Sequence, residues 1–243
     1  MNTKFFKATL GVTVLMLLVS ACGFIPTLGS RNIITESRTV SGFSQVDVSG
    51  AGSLEILQDG TEALTVETDD NMLPYVTSAV RGGTLYLALD SSTRALLPSR
   101  LHFTLHVKDL GGITTSGSWD VTAASLQAAA LNIAISGSGK VTIDALTVDQ
   151  LDATVSGSGE LDLAGVAQQQ SIDISGSGKV LAGDLHTQDT TISISGSGNV
   201  TVWATTTLDA HVSGSGDVSY YGVPQVSFDQ SGSGNIHNLG TKE

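Results

Sequence analysis

The chain has 243 residues, with 23 acidic and 11 basic side chains and a formal charge of −12, a sign that argues against nucleic acid and against adsorption to anionic headgroups. Its single cysteine has no internal partner for a disulfide. Charged residues make up 14% of the chain and glycines number 28, so surface polarity must come mainly from Ser, Thr, Asn and Gln.

The first element is the stretch MNTKFFKATLGVTVLMLLVSAC, with Lys4 and Lys7 ahead of an apolar run from Leu10 to Val19. Its charge and length are those of a secretory signal, and the run is shorter than a membrane span requires. Val19-Ser20-Ala21-Cys22 looks like a bacterial lipobox, in which small residues fit the signal peptidase and the cysteine thiol receives a diacylglyceryl group. Residues 1–21 are therefore expected to be removed and Cys22 to be lipidated, a second acyl signal such as palmitate making the anchor stable. Gly23 rather than Asp after the cysteine suggests, in a Gram-negative cell, passage to the outer membrane. Loss of the leader removes two lysines and leaves a formal charge of −14. Residues 22–37 read as a lipidated linker.

Residues 38–112 read as an N-terminal β region continuous with the repeats beyond it. In VDVSGAGSLEIL, Val46 and Val48 precede the turn Ser49-Gly50-Ala51-Gly52 and Leu54 and Ile56 come after it, so period-two alternation flanks a glycine corner. Further alternation marks Leu64 to Thr68, Leu85 to Leu89 and Leu101 to Val107, with a turn at Arg81-Gly82-Gly83 and a loop or short helical turn within Asp70 to Val80. These strands are expected to cover the N-terminal end of a stack.

Residues 113–239 carry the repeat. SGSG begins at Ser136, Ser156, Ser175, Ser195, Ser213 and Ser231, at intervals of 20, 19, 20, 18 and 18 residues, with a degenerate copy at Ser116-Gly117-Ser118-Trp119. One position before the serine stand Ile135, Val155, Ile174, Ile194, Val212 and Gln230, and three before it Ile133, Ala153, Ile172, Ile192, Ala210 and Phe228. The positions between them are almost wholly polar, and after each turn the alternation resumes from Val121, Val141, Leu161, Val180, Val200, Val218 and Ile236. Strand, corner, strand at one phase of a period near twenty means a coil that advances one strand spacing per repeat, hence an all-β parallel β-solenoid with stacked SGSG corners. Glycine suits such corners because it adopts positive φ and lets neighbouring corners lie one strand spacing apart, while the serine hydroxyls can bond backbone or one another. Tyr220, Tyr221, Phe228 and the tail from Asn238, whose last residues are 240–243, gather where a C-terminal cap is needed.

Taken in order, RTVSGFSQVDVSGAGSLEI, LTVETDDNMLPYV, GGTLYLAL and the serial corners closing in SGSGNI resemble the head GIN domain family of bacterial envelope proteins, described as auto-transporter adhesins. The likeness covers residues 38–239. It implies a right-handed parallel β-helix and a secreted or lipid-anchored location, and it supplies no catalytic residue.

The residues themselves carry little chemistry. After each corner stand Lys140, Glu160, Lys179, Asn199, Asp217 and Asn235, where opposite charges adjoin and lysines interrupt any column of metal-binding acids. No phosphate loop or nucleophile elbow is present. His102 and His106 share a strand face without a third ligand and read as outward polar residues. No metal, cofactor or catalytic residue is expected. Candidate ligand-binding positions are Trp203, Asp173 and Asp209, a ring beside a shallow groove being one way to hold a sugar. The expected protein is a lipid-anchored, non-enzymatic envelope protein, held to the membrane by its N-terminal lipid, that binds a glycan or another envelope protein. A polysaccharide lyase or hydrolase on a β-helix is one alternative, and an envelope-stress or structural factor without a small ligand is the other.

Overall fold

The computed structural model describes residues 26–90 and 95–242; the leader and Cys22 lie outside them. Seventeen strands run in chain order: β1 Thr27–Leu28, β2 Ile33–Arg38, β3 Gln45–Gln58, β4 Ala63–Asp69, β5 Val76–Arg81, β6 Thr84–Leu89, β7 Leu96–Leu97, β8 Leu101–Val107, β9 Gly112–Ala123, β10 Leu126–Gly137, β11 Lys140–Gly157, β12 Glu160–Gly176, β13 Lys179–Gly196, β14 Asn199–Gly214, β15 Asp217–Tyr221, β16 Gln225–Gly232 and β17 Asn235–Asn238. The one helical turn among the described residues is a 3₁₀ turn at Leu73–Tyr75, inside the segment expected to hold a loop or short turn.

From β9 to β17 every pairing is parallel, and the corners stand in register. Gly50, Gly117, Gly137, Gly157, Gly176, Gly196, Gly214 and Gly232 form one file through eight levels. The inward aliphatic columns form a single buried core along the stack. Differences in repeat length are absorbed elsewhere. Between β11 and β12 the register slips after Ile143, and between β12 and β13 after Asp162, so each corner returns to phase.

The two glycines of each SGSG answer to different constraints. The first has φ between 105° and 146°, and from Gly117 onward a Cβ there would lie 2.0–2.7 Å from the carbonyl oxygen of the glycine one level below. That carbonyl accepts the N–H of the next level's serine, as from Ser158 to Gly137 at 2.8 Å and from Ser197 to Gly176 at 2.8 Å. The second glycine has ordinary φ but points inward, where a Cβ at Gly159 would meet Ile135 Cγ2 at 2.4 Å and one at Gly178 would meet Val155 Cγ1 at 2.5 Å. Positive φ thus explains one column and interior space the other. The corner bonds are backbone bonds; among the described residues the SGSG serine hydroxyls make none within the chain, and of the corner serines Ser49 alone donates, to Asp47 Oδ1 at 3.5 Å.

The VDVSGAGSLEIL segment is a coil of the same stack. β3 lies parallel on β9 from Gln45 to Ile56, and the described residues between them in the chain, 59–90 and 95–111, lie toward the N-terminal end of the ladder. β6 and β8 extend the parallel ladder beyond β3, and β5, β4 and β2 add antiparallel strands that close it. Residues 22–37, expected as linker, contribute β1 and most of β2, because Ile33–Arg38 alternates and pairs with β4. Trp119, in place of the last corner glycine, is 1% exposed and fills the wider interior beneath Gly52, with its ring 5.8 Å from that of Phe103.

The opposite end is covered in part. The tail pairs through Leu239 N–H to Tyr220 O at 2.8 Å and Gly222 N–H to Gly240 O at 2.9 Å, whereas β16 is exposed along most of its length and pairs only with β14 among the described residues. Gln230, with Thr115 a polar member of its otherwise apolar inward column, falls on this uncovered strand and is exposed.

Polar residues interrupt two inward columns, Thr115 in one and Gln170 and Thr190 in another. In the inward column Leu131, Leu151, Gln170, Thr190, Leu208, Val226, Thr190 is satisfied by Thr187 Oγ1 at 2.7 Å, but the buried amide nitrogen and oxygen of Gln170 have no partner among the described residues. An uncompensated buried amide costs about 1–3 kcal/mol, and leucine has similar bulk. Gln170→Leu is therefore expected to raise stability by about 2 kcal/mol and the unfolding midpoint by roughly 4–8 °C, read by thermal denaturation.

Candidate functional site

The outward residues of the strands that lead into the corners make one continuous polar face. One column runs Asn132, Asp152, Ser171, Thr191, Asp209, Ser227, and the next runs Ala134, Thr154, Asp173, Ser193, His211, Asp229. Levels are ~4.8 Å apart and alternate residues along a strand ~6.7 Å apart, so hydroxyl, amide and carboxylate groups occupy a regular grid. Asp173 and Asp209 both stand on it, one column and two levels apart. Each is separated from the next carboxylate of its own column by neutral or imidazole neighbours, which avoids like charges directly opposite on adjacent strands.

These columns contain no lysine or arginine. A shallow groove of about 340 Å³ runs beside the first of them, lined by Gln150, Asp152, Gln169, Ser171, Asp189 and Thr191 among others. Several of its polar groups are held by neighbours, Gln150 Nε2 donating to Asp152 Oδ2 at 3.1 Å and Thr207 Oγ1 to Asp189 Oδ1 at 2.6 Å. A smaller depression of about 150 Å³ lies beside Ser195, His211, Ser213 and Asp229.

The grid also brings together a group that strand-by-strand reading passes over. His211 Nδ1 lies 3.4 Å from Asp229 Oδ2 and its Nε2 lies 3.8 Å from Asp209 Oδ1. The repeat spacing itself carries the signal, since position 211 is two residues after 209 and eighteen before 229. These side chains are 57%, 79% and 51% exposed. Among the described residues no group of three His, Cys, Asp or Glu side chains is placed to share a metal ion.

Trp203 is not on this face. It stands beyond the corner, in register with His186 and Tyr221, with its ring edge-on to His186 at 4.8 Å. Lys242 of the tail reaches back over it, its Nζ 5.8 Å from the Trp203 ring and 4.9 Å from that of Tyr221, while it pairs with Asp184 and donates to Gly183 O at 2.8 Å. The indole is therefore flanked by the Lys242 ammonium.

Other charged groups are structural. Lys140 pairs with Glu160 at 2.8 Å, and that hydrogen bond holds the Glu160 carboxyl below its ordinary range and raises the lysine. Farther along the same column, Asp217 Oδ1 accepts from Asn235 N–H at 2.9 Å, continuing the ladder without a charge pair. His102 and His106 alternate with buried Leu101, Phe103 and Leu105, and lie on the outer side. His102 meets Ser53 Oγ at 2.8 Å and His106 meets Asp59 at 2.6 Å. Hydrogen bonds from Thr61 first, and then from His106, lower the Asp59 carboxyl to about 2.

The chain is a parallel β-solenoid with one repetitive polar face. Residues 42–224 match the family described as "Putative auto-transporter adhesin, head GIN domain", and the chain belongs to that family. The crystal structure of a "putative adhesin" from Bacteroides fragilis is similar, with a TM-score of 0.83 and 30% identity over 88% of this chain and all of that one. A "putative lipid binding protein" from Parabacteroides distasonis gives a TM-score of 0.75 at 25% identity over 88% and 100% of the two chains. A "putative adhesin" from Parabacteroides merdae, with a TM-score of 0.71 at 19% identity over 88% and 99%, shares the fold. No curated protein matches the chain.

Proposed function

We propose that this is a lipid-anchored, non-enzymatic protein of the bacterial envelope, tethered through Cys22 at the outer membrane, whose polar face binds a glycan. The observation that carries the reading is the in-register grid of Ser, Thr, Asn, Gln and Asp around Asp173 and Asp209, without lysine or arginine. Such a surface offers many hydrogen bonds of one geometry to a partner that repeats hydroxyl groups. Each contact is weak, and repetition multiplies it.

A glycan array probed with the acyl-free mature chain tests this. Binding to one class of glycan is expected, with Asp173→Asn weakening it by about tenfold, the equivalent of one charge-assisted hydrogen bond of ~1.4 kcal/mol, and leaving the unfolding midpoint unchanged. Absence of binding to every glycan would overturn the ligand and leave another envelope protein as the partner.

A further inference from the structure

The N-terminal end of the solenoid carries an apolar tip that the glycan-binding face does not use. β1 and β7 form a separate two-stranded parallel sheet in which Leu28 lies beside Leu97. These two side chains are 64% and 53% exposed. Their position is fixed from behind: Gly29 N–H donates to Leu97 O at 2.9 Å, Asn71 Nδ2 donates to Leu28 O at 2.8 Å, and the Asp69 carboxylate accepts from Arg31 N–H at 2.6 Å and Ser99 N–H at 2.7 Å. Two leucines held side by side in water on an ordered ribbon form a surface rather than a frayed end. Beside them opens a cleft of about 520 Å³ whose side chains include Leu89, Leu96, Pro98 and Leu101.

The chain outside the described residues indicates what meets this tip. Cys22 precedes Thr27 by five residues, which span at most about 17 Å when fully extended. A lipid on Cys22 therefore holds β1 and β7 within that distance of the headgroups. The mature chain carries a net formal charge of −14, so its overall charge does not draw it to an anionic leaflet, and the exposed leucines are the part of this tip that favours the bilayer.

We propose that Leu28 and Leu97 rest against the bilayer to which Cys22 is tethered, docking the N-terminal end of the solenoid on the membrane and leaving the coils toward β17 farthest from it. The inference depends on the lipid-anchor reading. The exposed pair inserts at headgroup depth, and the contact is insensitive to salt.

Cys22 is the only cysteine, so in the lipidated full chain its thiol is consumed and a Leu97→Cys variant takes a single bimane label. The labelled protein is reconstituted in phosphatidylethanolamine–phosphatidylglycerol vesicles containing doxyl-labelled lipid, with Val223→Cys, 78% exposed near the C-terminal end, as the distant control. Quenching at position 97 is expected to exceed that at 223 at least threefold and to persist at high salt. Equal, low quenching on vesicle-bound protein whose Cys22 is acylated by mass spectrometry overturns the docking and leaves the anchor standing. A second bimane on Cys22, with no vesicle binding, overturns the anchor itself. Shielding of position 97 that depends on protein concentration, without lipid quenching, assigns the leucines to a second copy and also overturns the docking.

Discussion

Gly196→Ala is expected to lower the unfolding midpoint by roughly 10 °C, a loss of about 4 kcal/mol. Two costs add. A φ of 131° is conformational territory that L-residues avoid, at about 1–3 kcal/mol. The new Cβ would also lie 2.4 Å from Gly176 O, the atom that accepts the Ser197 N–H at 2.8 Å, so relief of the clash pulls apart a ladder bond in the middle of the stack. Gly82→Ala separates the two effects. Gly82 has φ 58°, and a Cβ added there would meet nothing within 4 Å, so this change should cost only about 1 kcal/mol. Equal losses in the two variants, measured by thermal or urea denaturation, would show that conformation alone governs the corners and that the file of stacked carbonyls is incidental.

Asp69→Ala is expected to cost about 3 kcal/mol, because it removes a buried carboxylate that accepts several charge-assisted hydrogen bonds at once. Burial pushes this carboxyl up, but hydrogen bonds from Ser99 Oγ and from the backbone N–H groups of Arg31, Ser99 and Arg100 outweigh it and hold it below its ordinary value of 3.8. A folded-state value below the unfolded one contributes stability that is fully present above about pH 4 and is lost as the pH falls through the folded value. Wild-type stability should therefore decline below pH 4 more steeply than that of Asp69→Asn, which lacks the titrating group. Parallel denaturation curves for the two proteins down that range would remove Asp69 as the source. The alanine substitution also frees the β1–β7 ribbon, since Asp69 joins the turns after both strands.

The repeat makes the solenoid legible because each of its columns has one physical job. Ile172 and Ile174, two residues apart and inward, against Ser171 and Asp173 outward, give the strand, and the constant offset from one SGSG to the next gives its parallel stacking. The N-terminal coil is legible for the same reason at Val46, Val48, Leu54 and Ile56. The linker is not, because the first five residues of β2 and the two of β1 gain their partners from β4 and β7, far along the chain, and carry no glycine corner to mark them. Of the candidate positions, Asp173 and Asp209 stand on the outward face that alternation assigns them. The lysine beside Trp203 is hidden, since no local pattern links Lys242 to Asp184. The neighbours of His211 are within reach of the repeat arithmetic, and only a two-dimensional reading of columns and levels recovers them.

The slip after Ile143 and its counterpart after Asp162 have a consequence for how such molecules change in size. Because corners return to phase whatever the repeat length, a whole coil can be duplicated or excised with its hydrogen-bond ladder resealing, altering the molecule's reach by ~4.8 Å. Charge sets the increment where the signs alternate, from Asp120 to Lys179. Excising residues 156–174 alone would bring Lys140 against Lys179, whereas excising the two coils 136–174 would bring Asp120 against Lys179 and keep opposite charges adjoined.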